Sequence, residues 1–432
     1  MPLPFSWLLR YRNLPRAVFM FIAGHFLINL INTAQFLLLN LFLKEQGMDD
    51  PEIASLVSKR FIATFLLAVP AGLWLRGRPL KRPLVIAAVL FPVMALAGLE
   101  AARMGHIGAA ALCFFVMGFG GLLASVAGLP MVLRLAPENR ASEALSLLFA
   151  TWAAAGILGG ALAWGLQWLG SVDLGFAVVQ LDVHATLFLL TTLGLGAPFL
   201  FARVPDAPSR GDRPRRSWFH VHRDDAPLLL KVLVPSVCIA TGAGLSIQFL
   251  NLFFSHVFGM SAAAYAAWGT VSQVLVLIAG LLVPAVKRRF GWRGAILGVQ
   301  GIAVVLLALM GLTELWQQAL WAFPVAVFLF IVRQPLMSMG GPSTSELTMT
   351  YVGPQNHELV SACQGAVWSG SWWLAAVIFE QLRGAGVSYW QIFLITSALY
   401  LLGMAAYYKL IRELEARGQS GREISCPETA AE

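Results

Sequence analysis

Lys59, Arg60 and Arg333 are the residues of this sequence whose chemistry is hardest to reconcile with their neighbours. Lys59-Arg60 interrupts an apolar run that continues into Phe61-Ile62-Ala63, and Arg333 stands between Ile331-Val332 and Gln334-Pro335 inside another. A charged side chain in hydrocarbon costs at least about 2.5–3.5 kcal/mol on insertion scales, so each must meet water, a carboxylate or a ligand. A guanidinium grips a carboxylate or phosphate with two parallel hydrogen bonds. Arg333 is expected either to offer that fork to an anion or to pair with Glu346 or Glu358, and Pro335 is expected to kink the helix beside it. Lys59 and Arg60 cannot both point inward, because neighbours on a helix are about 100° apart. Arg60 is the one expected to line a cavity, unless the helix starts near Val57 and both cations sit at the surface beside Asp49, Asp50 and Glu52.

Uncharged polar residues gather in the same kind of setting. His25, Asn29 and Asn32 are spaced i, i+4, i+7 and share one helix face, with Gln35 slightly to one side. They read as a cavity-lining stripe with His25 as its titratable member, or as interhelical glue worth about 0.6 kcal/mol per bond. A later run carries Thr241, Ser246, Gln248 and Asn251, with Gly242 and Gly244 allowing close packing or a bend. Gln364, Trp368, Trp372 and Trp373 mark a third. Trp368 and Trp372 share a face and read as an aromatic cavity wall or as a belt at the membrane interface. Trp152 is the expected counterpart of Trp368.

What is missing narrows the chemistry. No Asp or Glu falls in the middle of an apolar run, so coupling to a proton would have to use His25 or a peripheral acid. The excess of embedded cations over acids favours an anionic or zwitterionic ligand. Metal-ligand spacing, a P-loop, HExxH and a nucleophile elbow are all absent. Neither an enzyme, a metal site nor a cofactor is expected.

The elements that must position these residues are membrane-spanning helices. The chain has 432 residues, 58% hydrophobic and 12% charged, with a mean hydropathy of +0.73. Soluble domains carry roughly 25% charged residues. Apolar runs predict twelve helices near 17–43, 53–75, 83–102, 107–134, 143–168, 184–203, 227–257, 262–286, 293–313, 316–340, 357–379 and 389–411. The long polar segment falls near the midpoint, so the expected division is an N-terminal six-helix bundle 1–202, a cytoplasmic loop 203–225, a C-terminal bundle 226–411 and a cytoplasmic tail 412–432.

The net charge of +8 is not a nucleic-acid signal, because the basic residues fall between the apolar runs. Placing both termini inside assigns 24 of the 30 Lys and Arg to the cytoplasmic side and three (Lys44, Arg103, Arg383) to the outer one, leaving Lys59, Arg60 and Arg333 within helices. That bias predicts a cytoplasmic (inner) membrane protein with both termini cytoplasmic. A monomer in the lipid bilayer is expected.

The two halves echo each other. Gln35-Phe36-Leu37, Asn40-Leu41-Phe42 and Gly47-Met48 return as Gln248-Phe249-Leu250, Asn251-Leu252-Phe253 and Gly259-Met260. Gly72-Leu73 followed by Arg76 to Arg82 returns as Gly280-Leu281 followed by Lys287-Arg288-Arg289, and Pro137-Glu138-Asn139-Arg140 as Pro354-Gln355-Asn356-His357. Duplicated halves are how many secondary transporters are built. With twelve helices, a basic central loop and Gly-led basic loops after the second and eighth helices, the chain resembles the major facilitator superfamily over nearly its whole length.

That resemblance implies two pseudo-symmetric bundles rocking about a midplane site lined by the first, second, seventh, tenth and eleventh helices. Its implied cargo is a small-molecule substrate, with a proton or counter-anion as coupling ion. The expected site residues are His25, Asn29, Asn32, Gln35, Arg60, Gln248, Asn251, Arg333, Gln364 and Trp368. Gating is expected at Arg76, Arg78, Lys81, Arg82, Arg140, Lys287, Arg288 and Arg289. The superfamily's loop signature places an acid four residues after its leading Gly; here Arg76 and Pro284 stand there, so Glu138 or Glu143 is the substitute partner. The expected activity is secondary transport of an organic anion or zwitterion, the alternative being export of amphipathic, lipid-like or drug-like compounds.

Overall fold

A computed structural model describes residues 14–75, 79–137, 141–173, 178–206, 226–352 and 357–417. Twelve helical spans follow one another: α1 (Arg16–Glu45), α2 (Asp50–Leu75), α3 (Lys81–Arg103), α4 (Ile107–Leu135), α5 (Ala141–Leu169) and α6 (Val183–Arg203, with a 3₁₀ turn at Gly194–Gly196) come first. Then come α7 in two pieces (α7a, Ala226–Ile247; α7b, Leu250–Phe258), α8 (Ala262–Trp292) and α9 (Arg293–Gly298, Val299–Leu312 and Thr313–Trp316). The last three are α10 (Ala322–Val352), α11 (His357–Gly384) and α12 (Tyr389–Ala416). Among the described residues nine helices are both long and apolar enough to cross a membrane. The others, α2, α5 and α11, have the length at 26, 29 and 28 residues. This is an all-α membrane protein.

By its contacts the chain groups into two compact units. The first joins α1 to α6 with Ala243–Val271 and Trp368–Ser388. Its packing relies on small residues that let backbones approach. A Cβ on Gly24 would come within 2.5 Å of the Phe201 ring, and one on Gly118 within 2.2 Å of the Arg60 carbonyl oxygen. Phe21 stacks on Phe201 at 5.5 Å. The second unit joins the start of α7a with Ser272–Val367 and α12. Here Gly242 and Gly403 bring α7a against α12, and Ala279, Val283 and Met339 form a buried cluster between α8 and α10.

The repeat is structural. Gly47 after α1 and Gly259 after α7b take φ of 85° and 65°, and each is followed by a Met whose N–H reaches back, Met48 to Leu43 O and Met260 to Phe254 O. Both helices therefore end in the left-handed turn that glycine adopts without strain.

Four features depart from the sequence expectation. The seventh helix is broken at Gln248-Phe249 rather than bent at Gly242 or Gly244. The eighth runs through Lys287, Arg288 and Arg289, so these are helical, and the expected loop contracts to Gly291 (φ 64°) before a π-helical turn opens α9. The tenth starts later than expected and continues past Gly340-Gly341-Pro342, since a bundle re-satisfies the carbonyl that proline frees. Finally, a short antiparallel hairpin, β1 (Ser171–Asp173) with β2 (Val178–Gln180), joins α5 to α6.

Candidate functional site

In the first unit the expected polar stripe of α1 forms a triangle with α5. Asn29 Nδ2 donates to Thr151 Oγ1 at 2.8 Å and lies 3.2 Å from His25 Nδ1, which itself lies 3.1 Å from Thr151 Oγ1. The Thr151 hydroxyl donates to Leu148 O, leaving its oxygen to accept. Thr151 escaped the sequence reading because a lone Thr in an apolar helix is unremarkable by itself. Asn32, half-buried, has no side-chain hydrogen bond among the described residues. Gln35 donates to Thr191 of α6 at 3.5 Å, while its Oε1 is buried without a partner.

Farther along α1 the matched polar residues of the repeat meet. The break in α7 frees the Gln248 carbonyl, because Leu252 N–H turns to Asn251 Oδ1 instead. Asn40 Nδ2 fills the vacancy, donating to Gln248 O at 2.6 Å and to Asn251 Oδ1 at 3.0 Å. Asn251 Nδ2 returns a bond to Leu37 O at 3.2 Å. Gln248 Nε2 donates to Trp372 O of α11 at 3.2 Å, and Gln248 Oε1 is buried and unpaired.

Beyond this clasp the buried Asp50 gathers partly exposed basic residues. Asp50, at the start of α2, accepts from Arg383 Nε at 2.7 Å and lies 3.2 Å from His256 Nδ1. Lys44 Nζ donates to Ser255 Oγ at 2.9 Å. Asp50, expected at the surface from its neighbours in sequence, is only 4% exposed. Its partners lie far along the chain in helix ends.

Arg60 is 8% exposed, with Nε and Nη1 buried and without hydrogen-bond partners. Its guanidinium sits 4.5 Å from the Phe61 ring centroid. Phe61 in turn contacts Trp372 (5.4 Å), which also meets Phe36 (5.9 Å) and Trp368 (5.8 Å). Trp372 is buried and its Nε1 lacks a partner, whereas Trp368 is about half exposed. Lys59 points elsewhere, into a separate cavity of about 290 Å³ lined by Glu52, Ser55 and Glu380. Because α2 begins at Asp50, neither cation lies at the helix start.

In the second unit Arg333 is fully buried in α10. Glu346 lies 13 residues away on the same helix, about 20 Å at 1.5 Å per residue, too far to pair with it, and instead binds Lys287. The Glu358 side chain lies outside the described residues. Gln364 is half-buried in α11. Basic residues at one end of this unit find carboxylates on other helices: Arg293 with Glu415, and Lys231 with Glu413 at 3.2 Å, the latter also held by Tyr351 OH. Of the expected gating residues, Arg76, Arg78 and Arg140 lie outside the described residues, as do Glu138 and the side chains of Glu143 and Arg288. Lys81 is half-buried and Arg82 exposed at the start of α3, and Arg289 is exposed with its guanidinium 5.4 Å from the Phe290 centroid.

Embedded ionisable groups and matched polar residues on two repeat-related helices define a polytopic membrane protein of the transporter type. The sequence profile of the Major Facilitator Superfamily matches residues 21–377, and the chain belongs to that family. Its fold is similar to a bacterial homologue of the human lysosomal transporter Spinster in an inward-facing, unoccupied conformation (TM-score 0.70, 14% identity, 96% of this chain and 99% of that one). It is similar also to the nucleoside transporter NupG (0.70, 15% identity, 92% and 100%) and to a D-xylose–proton symporter (0.66, 16%, 91% and 97%). No curated protein sequence matches the chain.

Proposed function

We propose that this protein is a secondary transporter, not an enzyme, that carries a small organic anion or zwitterion by alternating access. Halves 1–202 and 226–411, joined by the loop 203–225, rock about the bound substrate, with 412–432 as a tail whose first residues, 412–416, continue α12. The distribution of Lys and Arg supports a cytoplasmic-membrane protein with both termini inside, and we take it as a monomer. The observation that carries the reading is Arg60, a cation more than nine-tenths buried whose fork has no carboxylate partner among the described residues. Such a charge favours an anion that arrives as substrate. Arg333, the other expected anion contact, is fully buried in the second unit and already has a partner. The Gln35, Gln248 and Asn251 side chains supply polar groups nearer the clasp, and His25 with Asn29 and Asn32 a polar wall.

Uptake into proteoliposomes tests this with panels of labelled organic anions and cations. Anions should accumulate, and Arg60→Gln should lower their flux at least tenfold, with partial recovery in Arg60→Lys. Cation uptake unaffected by Arg60→Gln would overturn the anion reading. Imposing a pH gradient of either sign distinguishes proton symport from exchange against a counter-anion. Export of amphipathic compounds is the second reading, favoured by the half-exposed Trp152 and Trp368; it requires efflux of a lipid-like probe that Trp368→Ala reduces.

A further inference from the structure

Arg60 does not stand alone among the unpaired groups of the first unit. Phe61 is the shared neighbour of its guanidinium and of the Trp372 indole, whose N–H is likewise buried without an acceptor. Gln248, tied to the same Trp372 through its backbone carbonyl, holds a buried unpaired Oε1. Arg60 of α2 and Trp372 of α11 thus share Phe61 as a ring neighbour, and Gln248 at the α7 break joins them through the Trp372 carbonyl, so two kinds of orphaned donor and one orphaned acceptor lie along one chain of contacts that Phe36 and Trp368 flank. Buried polar groups are normally satisfied, and a set of unsatisfied ones in a transporter marks where a ligand completes the bonding.

Resting on the assignment of Arg60 as the anion contact, we infer that the substrate is a monocarboxylate carried on a flat aromatic body. The charge count selects a monoanion: Asp50 and Arg60 are the only buried Asp, Glu, His, Lys or Arg side chains among the described residues of this unit, and Asp50 is already paired. One guanidinium neutralises one carboxylate, while a dianion would bring an uncompensated charge into an apolar wall. Geometry selects the body. The carboxylate takes the Arg60 fork, with the Trp372 N–H as a further donor, and the surrounding rings offer edges and faces to an aromatic ring at the 4.5–7 Å spacings such pairs prefer. Gln248 Oε1 accepts from a ring hydroxyl or amino group, so a substituted ring binds more tightly than a bare one.

The test measures binding and uptake on the full-length protein in detergent and in proteoliposomes. Benzoate, 4-hydroxybenzoate and indole-3-acetate are compared with hexanoate, succinate and benzylamine at constant ionic strength. Expected are binding of the aromatic carboxylates at least tenfold tighter than hexanoate or succinate, and a threefold or greater gain from the 4-hydroxyl that Gln248→Leu removes. Trp372→Phe keeps the ring but loses the N–H, and should weaken benzoate several-fold. Succinate or hexanoate binding best, with Arg60→Gln abolishing it, would overturn the aromatic inference while leaving the anion reading intact. Benzylamine binding as well as benzoate, indifferent to Arg60→Gln, would overturn both. A melting temperature for each variant separates loss of the contact from loss of the fold.

Discussion

Asn40 of α1 and Asn251 of α7b, 211 residues apart and equivalent in the internal repeat, hydrogen-bond each other at 3.0 Å across the break in the seventh helix. Asn40 also caps the Gln248 carbonyl that the break exposes. Each side chain therefore satisfies backbone that would otherwise be orphaned in apolar surroundings. Coupling of this kind between membrane helices averages about 0.6 kcal/mol and reaches about 1.7. Asn40→Ala and Asn251→Ala should each destabilise the protein, and the double variant by less than their sum, with a coupling toward the upper end because two backbone groups are involved. Thermal unfolding of the four proteins in one detergent completes the cycle; strict additivity would show the pair to be incidental.

Asp50 anchors basic side chains from two other elements, accepting from the Arg383 guanidinium of α11 and lying 3.2 Å from His256 Nδ1 of α7b. Removing one partner of a buried, hydrogen-bonded charge pair costs about 2–5 kcal/mol, largely because the remaining charge is stranded. The Arg383 and His256 side chains keep 22% and 33% of their exposure, which relieves part of that penalty. Asp50→Asn should therefore cost about 2 kcal/mol, at the low end of this range. Asp49→Asn is the control: that residue is exposed and its carboxylate merely caps the first turn of α2, so a small loss of up to about 1 kcal/mol is expected. Equal losses in the two variants would refute the ranking.

Much of the architecture was legible in the sequence because membrane helices announce themselves by length and apolarity. The repeat marked Gln35, Asn40, Gln248 and Asn251 as matched polar groups whose types required partners; Asn40, Gln248 and Asn251 meet one another, while Gln35 reaches Thr191. The α7 break was not legible, since neither Gln248 nor Phe249 is a helix breaker; its carbonyl is stabilised by Asn40, more than 200 residues away. The reach of α8 through Lys287-Arg288-Arg289 was hidden for a related reason. Basic residues suggest a loop, yet Glu346 on α10 gives Lys287 a partner within the helical arrangement. Thr151 and Asp50 were missed because their roles come entirely from what packs against them.

Gly118 carries a packing prediction. A Cβ there would meet the Arg60 carbonyl oxygen at 2.2 Å, a backbone atom that cannot swing aside as a side chain could. Gly118→Ala should push α4 from α2 at the level of Arg60. Overpacking of this kind costs about 1–3 kcal/mol. Gly108→Ala, at a position with open space around it, should leave stability within about 0.5 kcal/mol. Melting temperatures compare the two, and an unchanged Gly118→Ala would contradict the close approach.

Thr151 holds the α1 to α5 triangle by accepting from Asn29 beside His25. Thr151→Val preserves shape but removes the acceptor, leaving a buried Asn donor to find water. Unsatisfied groups of this kind cost about 1–3 kcal/mol. His25→Ala leaves the Asn29–Thr151 bond in place and should cost less. If the order is reversed, the histidine and not the hydroxyl is the hub.

Arg60→Met separates a ligand contact from a structural one by the sign of its effects. A structural cation that completes the fold would leave a hole in the bonding when replaced, and the empty protein would melt lower. A cation waiting for a substrate is a cost in the empty protein, because its burial is uncompensated until the anion binds. Exchanging buried charge for an apolar side chain of similar volume is often neutral or stabilising by about 1–4 kcal/mol. The empty Arg60→Met protein should accordingly melt at or above the parent. A ligand present at 100 times its Kd stabilises by about 2.7 kcal/mol, and that gain, seen in the parent with a bound organic anion, should vanish in the variant. Melting scans with and without the anion read both quantities, and a variant that melts lower while keeping its ligand shift would make Arg60 a structural residue.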